Sequence, residues 1–64
     1  MHRMPASAIL KEAKILRQVS ENLDDLAGLN PHVSEKLVLL SGNVLHSATL
    51  LEVLVAMKMG PGPA

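Results

Sequence analysis

Cysteine and all three aromatic residue types are absent from this 64-residue chain. Without cysteine, the chain has neither disulfides nor thiolate zinc sites. Without Phe, Tyr or Trp, it lacks the side chains that supply much of the packing energy of compact cores and that stack on nucleic-acid bases. A chain this short buries only about 60% of the surface that it exposes when unfolded. We therefore expect self-association to supply the missing stability.

An excess of either charge is also absent, because six acidic residues balance six basic ones. The charges are nevertheless unevenly distributed. Residues 1–20 carry four bases and one acid, residues 21–35 carry four acids, and residues 36–64 carry two bases and one acid. The N-terminus has no apolar run of the kind found in secretory signals, since Lys11 and Glu12 interrupt it, so we expect a cytoplasmic protein.

The first half of the chain predicts an amphipathic helix over about residues 5–27. Pro5 suits the first turn of a helix, where its missing N–H does no harm. Arg17 and Glu21 are spaced as an i,i+4 ion pair. Apolar residues recur every three or four positions and form one stripe, which consists of Ile9, Ala13, Leu16, Val19, Leu23 and Leu26.

A short turn is predicted at residues 28–30. Gly28 can take the left-handed conformation that often ends a helix. Asn30 is a good N-cap for the next helix, and Pro31 fits its first position. Because the connection is so short, the two helices are expected to be antiparallel neighbours.

The second half predicts a helix over about residues 31–58, followed by a disordered or extended tail at residues 60–64, where glycine and proline alternate. Ser41, Gly42 and Asn43 prefer turns to helix interiors, so a kink at 41–43, with Asn43 starting a third helix, is the alternative to one continuous helix. We favour the continuous helix, with Gly42 allowing a neighbouring helix to approach closely.

The second helix has more apolar surface than the first can cover. If the turn centres on Leu29, residue i lies level with residue 58 − i, so Leu16 faces Gly42 and the apolar segment 50–57 faces residues 1–8. We therefore expect an oligomer interface formed by Leu37, Leu40, Val44, Leu45, Ala48, Leu50, Leu51, Val53, Leu54, Val55 and Met57.

Charge predicts how two copies meet. Each hairpin has an acidic loop end and a basic open end, so an antiparallel dimer places opposite charges side by side. The predicted fold of the single 1–64 domain is therefore an all-α helical hairpin that forms a four-helix bundle as a dimer or tetramer. In architecture this resembles short dimeric helical-hairpin proteins, including plasmid copy-control RNA-binding proteins. The resemblance implies no function, and this chain lacks their basic, aromatic face.

No residue pattern indicates catalysis, a cofactor or a metal. His46 stands alone in the apolar helix, and we interpret it as an interface-edge residue rather than a metal ligand. His32 and Glu35 have the reverse order of the Glu-x-x-His pattern of carboxylate-bridged metal sites. Glu52 interrupts the most apolar run, and we interpret it as solvated or as paired with Arg3, Lys11 or Lys14 of a partner copy.

We therefore expect a structural or regulatory interaction module with no chemistry of its own, a homo-oligomer that also contacts another protein. Three alternatives remain. One is a small nucleic-acid-binding regulator that uses the face formed by Arg3, Lys11, Lys14 and Arg17. Another is a membrane protein with one span at residues 37–59. The third is a ligand or metal site at the bundle centre. We expect neither nucleic acid nor a membrane as the partner.

Overall fold

The computed structural model describes residues 5–59, and the prediction of an all-α helical hairpin is confirmed. Within this range, all residues except Pro5 and Asn30 lie in helical turns. The elements in chain order are α1 (Ala6–Leu29), a 3-10 turn (Pro31–Val33), α2 (Ser34–Leu54) and a π-helical turn (Val55–Met59). The tail predicted at residues 60–64 lies outside the described residues.

Helix α1 begins and ends slightly later than the sequence predicts. Pro5 precedes the helix in an extended conformation, and its carbonyl oxygen accepts the N–H groups of Ala8 and Ile9 at 2.9 and 3.3 Å. The helix continues through Gly28 to Leu29, and no glycine among the described residues has a positive φ. The prediction that Gly28 ends α1 in a left-handed conformation is therefore wrong.

Asn30 caps the helix that precedes it rather than the helix that follows it. Its side-chain amide donates to the Leu26 carbonyl oxygen at 2.8 Å, and its backbone N–H donates to the Ala27 carbonyl oxygen at 3.4 Å. These bonds satisfy two carbonyl groups at the end of α1, so a left-handed glycine is not needed there. The side chain of Asn30 caps no N–H of the following turn, contrary to prediction, whereas Pro31 does start that turn.

Helix α2 continues without a break through Ser41, Gly42 and Asn43, as favoured from the sequence. A Cβ atom added to Gly42 would meet no atom within 4 Å, so Gly42 is not a point of close approach within the hairpin. Ser41 has that position instead, since its side chain is buried against α1. Its hydroxyl bonds to α1, which compensates for the poor helix preference of this segment.

The two helices meet along a seam that repeats every seven residues. Six small or medium side chains in the seam are buried, and Ala13 and Ala48 are fully inaccessible to solvent. The buried seam residues are Ala13, Ser20 and Ala27 of α1 and Ser41, Ala48 and Val55 of α2 or its last turn. Half-buried Ile9, Leu16, Leu23, Leu37, Val44 and Leu51 lie between them. A heptad spacing keeps one face of each helix directed at its partner.

A pair of serines fixes the register. The Ser41 hydroxyl donates to the Ser20 carbonyl oxygen at 2.9 Å, and the two hydroxyl oxygens lie 2.7 Å apart. Because a hydroxyl carries one hydrogen, Ser20 must donate in the second bond. Residue i of α1 therefore lies level with residue 61 − i of α2. The predicted register, with Leu16 facing Gly42, is three residues off because the turn centres between Asn30 and Pro31 rather than on Leu29.

Candidate self-association surface

The hairpin is a single layer of two helices, with extents of 49 × 24 × 15 Å, so most large apolar side chains remain outside the seam. Fourteen of them are exposed within the described residues, and that number is larger than the whole set of buried seam residues. They are Leu10, Ile15, Val19, Leu26, Leu29, Val33, Val38, Leu39, Leu40, Leu45, Leu50, Val53, Leu54 and Met57. The fully buried positions of the seam hold small or medium side chains, and most of the large apolar side chains are exposed.

The residues predicted as an oligomer interface divide into two groups. Five belong to the seam within one chain, either buried or half-buried, namely Leu37, Val44, Ala48, Leu51 and Val55. Six are exposed, namely Leu40, Leu45, Leu50, Val53, Leu54 and Met57. Segment 50–57, expected to lack cover, is thus mostly exposed, apart from Val55 and half-buried Leu51 and Glu52.

One broad side of the hairpin, the ion-pair face, is marked by a salt bridge between the helices. The Arg17 guanidinium donates to both carboxylate oxygens of Glu52, at 2.8 Å through Nε and 2.6 Å through Nη2. Nη2 also lies 3.4 Å from the hydroxyl of Thr49, which itself donates to the Leu45 carbonyl oxygen. Helical spacing places Lys14, Glu21, Asp24 and Glu35 on the same side.

The ion pair shifts the titration of both partners. The hydrogen bond from Arg17 lowers the pKa of Glu52, partial desolvation opposes that shift, and the positive charge of Arg17 adds to it. The hydrogen bond to Glu52 likewise raises the pKa of Arg17. Both side chains are about 40% exposed. Glu52 therefore pairs within its own chain and is neither simply solvated nor dependent on another copy. The i,i+4 spacing predicts that Arg17 pairs with Glu21, whereas in the structure Arg17 pairs with Glu52.

The opposite broad side, the apolar face, has a different composition. It is formed by residues that immediately precede seam positions, whereas those that immediately follow them lie on the ion-pair face. Eight side chains of the apolar face are large, apolar and exposed. These are Ile15, Val19, Leu26 and Leu29 of α1 and Leu40, Leu50, Leu54 and Met57 of α2 or its last turn. Helical spacing adds Asn22, Asn43 and Ser47 and two charged residues, Glu12 and Lys36.

The other candidate sites do not come together. His32, Glu35 and His46 are exposed, and no group of three or more His, Asp or Glu side chains in residues 5–59 is placed to hold a metal ion. Residues 5–59 also enclose no pocket. Of the predicted basic face, Arg17 is engaged with Glu52, and Arg3 lies outside the described residues.

The segment Pro31–Lys58 is long and apolar enough to cross a membrane, judged by length and composition. Its most apolar window has a mean hydropathy of 1.6, and only 17% of that window is buried in the hairpin. A core helix or a signal sequence meets the same criteria, but a core helix would be largely buried. The low burial means that α1 covers only a small part of α2.

Comparison with protein-family models, with curated proteins and with solved structures found no match.

The sequence pattern does not predict two features of the hairpin. The Arg17–Glu52 pair joins residues 35 positions apart, and only the register brings them together. The apolar spacing also predicts Val19 and Leu26 in the inner stripe, where the structure has Ser20 and Ala27. A signal was present, since a residue no larger than valine recurs every seventh position from Ala6 to Val55.

Proposed function

We propose that this chain is a self-associating helical hairpin, an interaction module that performs no chemistry of its own and acts through the surface it buries with further copies. The observation that carries the proposal is the apolar face, where large side chains that could stabilise a core are exposed to solvent. Fully burying one Leu or Val contributes roughly 1.5–3 kcal/mol. A free monomer would forgo this contribution at several positions.

The exposure of the apolar face supports the same conclusion. Its eight large apolar side chains are between 38% and 76% exposed. A stable interface needs about 800 Å² from each partner, and these side chains would form its centre. Leu39 and Val53, on the outer edge of α2, would still be exposed in a dimer, and pairing of two dimers would cover them.

Sedimentation equilibrium of the purified full chain tests the proposal. We expect a dimer or tetramer at micromolar concentration, with dissociation only on strong dilution. Circular dichroism on the same samples reports whether helix content falls as the oligomer dissociates. A fully helical monomer at micromolar concentration would contradict the proposal.

The apolarity of α2 on all sides favours one other function, that of a membrane protein spanning the bilayer with residues 37–59. Glu52 lies inside that span, and its pairing with Arg17 would have to be broken or carried into the lipid. Carbonate extraction of cells that express the chain separates the two functions. The bundle predicts recovery in the soluble fraction, whereas recovery in the carbonate-resistant pellet would favour the span.

A further inference from the structure

We infer that a second copy of this chain docks on the apolar face with its loop at the opposite end, so that α1 packs on α1 of the partner and α2 on α2. This inference rests on the proposed self-association and specifies its surface and orientation. It follows from the distribution of charge over the two faces and along the edge of α1.

The choice of face follows from desolvation. The ion-pair face carries Arg17 and Glu52 and, by helical spacing, Lys14, Glu21, Asp24 and Glu35. Burying so many charges removes them from water and is costly unless each finds a partner. The apolar face has two charged residues, Glu12 and Lys36, among eight exposed large apolar side chains. Docking on the apolar face buries more hydrocarbon and fewer charges.

Asn43 on the apolar face supports the orientation. In the register that Ser20 and Ser41 set, Asn43 lies level with residue 18 of α1, near the middle of the hairpin. In a partner turned end for end about that level, α2 packs on α2 and Asn43 meets its own copy, where a paired amide can fix the orientation of packed helices.

The outer edge of α1 gives a second, independent match. Lys11, Gln18 and Asp25 are spaced seven residues apart and lie along that edge. When α1 packs antiparallel on α1 of the partner about Gln18, Lys11 comes level with the partner's Asp25 at both ends. Copies docked with their loops together would instead place Lys11 level with the partner's Leu50 and Asp25 level with the partner's Lys36. The pairing of Lys11 at both ends, together with Asn43 at the centre, favours opposed loops.

Single cysteines test the face and the orientation, because the natural chain has none. Val19 lies on the apolar face near the proposed two-fold axis, so in Val19→Cys the two thiols approach each other. A disulfide needs Cα atoms within about 7 Å. Leu45→Cys is the matched variant on the ion-pair face, and it would meet its own copy if that face formed an antiparallel dimer. Both residues are exposed in the hairpin, so both variants should fold.

Under mild air oxidation we expect most Val19→Cys chains to form a covalent dimer and Leu45→Cys chains to remain largely free. A covalent dimer of Leu45→Cys alone would overturn the inference. Failure of both variants to cross-link, with a non-covalent dimer in sedimentation, would overturn the docking mode and leave the proposed function standing. A helical monomer in sedimentation would overturn both.

A charge exchange tests the edge of α1. Lys11→Asp and Asp25→Lys each place like charges together at both ends of the proposed dimer, so each should raise the dimer dissociation constant about five- to tenfold. The double variant restores opposite charges and should return that constant to within about twofold of the natural value. Additive losses in the double variant would exclude this pairing, whatever the cysteines show.

Discussion

The seam between the helices and the apolar face differ in the size of their side chains and in how far those side chains are exposed to solvent. The seam is built from residues such as Ala13, Ser20 and Ala48, which are buried and whose polar atoms are satisfied. The apolar face holds the larger side chains, of which Met57 is 74% exposed. Small residues let two helices pack closely but contribute little hydrophobic area. The contrast indicates that the hairpin closes through close packing of small side chains, whereas most of its large apolar side chains are left exposed.

The largest expected effect comes from a charge placed on the apolar face. Val19→Asp would bury a carboxylate from each copy in the proposed interface, so the dimer dissociation constant should rise more than about a hundredfold, or about 3 kcal/mol. Sedimentation across a dilution series measures this constant. Leu39→Asp is the control, because Leu39 lies on the outer edge of α2 and is 67% exposed. Equal weakening by both variants would argue against the apolar face.

The seam should respond to added volume. Ala13→Leu inserts a large side chain where solvent has no access, so the helices must separate, and the free energy of unfolding should fall by about 2 kcal/mol. Urea unfolding followed by circular dichroism, at one fixed protein concentration, gives that quantity. Ala56→Leu, at an exposed position, should change it by less than about 0.5 kcal/mol. Tolerance of Ala13→Leu would show that the seam has room for a larger side chain.

The serine pair tests how much stability is lost when a buried hydroxyl has no hydrogen-bond partner. Ser41→Ala leaves the Ser20 hydroxyl without its acceptor, so the free energy of unfolding should fall by about 1.5 kcal/mol. Replacing both serines with alanine leaves no orphaned hydroxyl and should cost less than the sum of the single changes. Ser47→Ala, at an exposed hydroxyl bonded to the Asn43 carbonyl oxygen, is the control. Strict additivity would show that the two serines do not act as a pair.

The smallest effect is expected from the ion pair at acid pH. The folded-state pKa of Glu52 is lowered, so the unfolded chain binds the proton more readily. The stability that the pair contributes is therefore complete above the unfolded pKa of about 4.3 and is lost as pH falls through the lower folded value. Comparison of the natural chain with Glu52→Gln by urea unfolding should show a difference that shrinks below about pH 4. Because both side chains are partly exposed, the difference should be small, and high salt should reduce it.

Glu21→Gln is the control for that measurement, since Glu21 is exposed and the salt bridge of Arg17 is to Glu52 instead. A Glu52→Gln difference that stays constant down to pH 2 would contradict the role given to the ion pair.

Local chemistry in the sequence determined the helices. Apolar spacing, Pro31 and the short connection were sufficient to predict an antiparallel hairpin, and the excess of Leu and Val in α2 predicted that segment 50–57 would be poorly covered. These properties depend on residues near one another in the chain, so they can be read without coordinates.

Only the tertiary structure decided which residues of each stripe face the partner helix. Ser20 and Ala27 lie inside while Val19 and Leu26 lie outside, because close packing of two helices rewards small side chains and directs large ones outward. The structure likewise joined Arg17 to Glu52, ended α1 after Gly28 and set the register three residues from the predicted one. Those outcomes depend on contacts between distant parts of the chain. Hydrophobic periodicity by itself does not determine which turns of the two helices lie side by side.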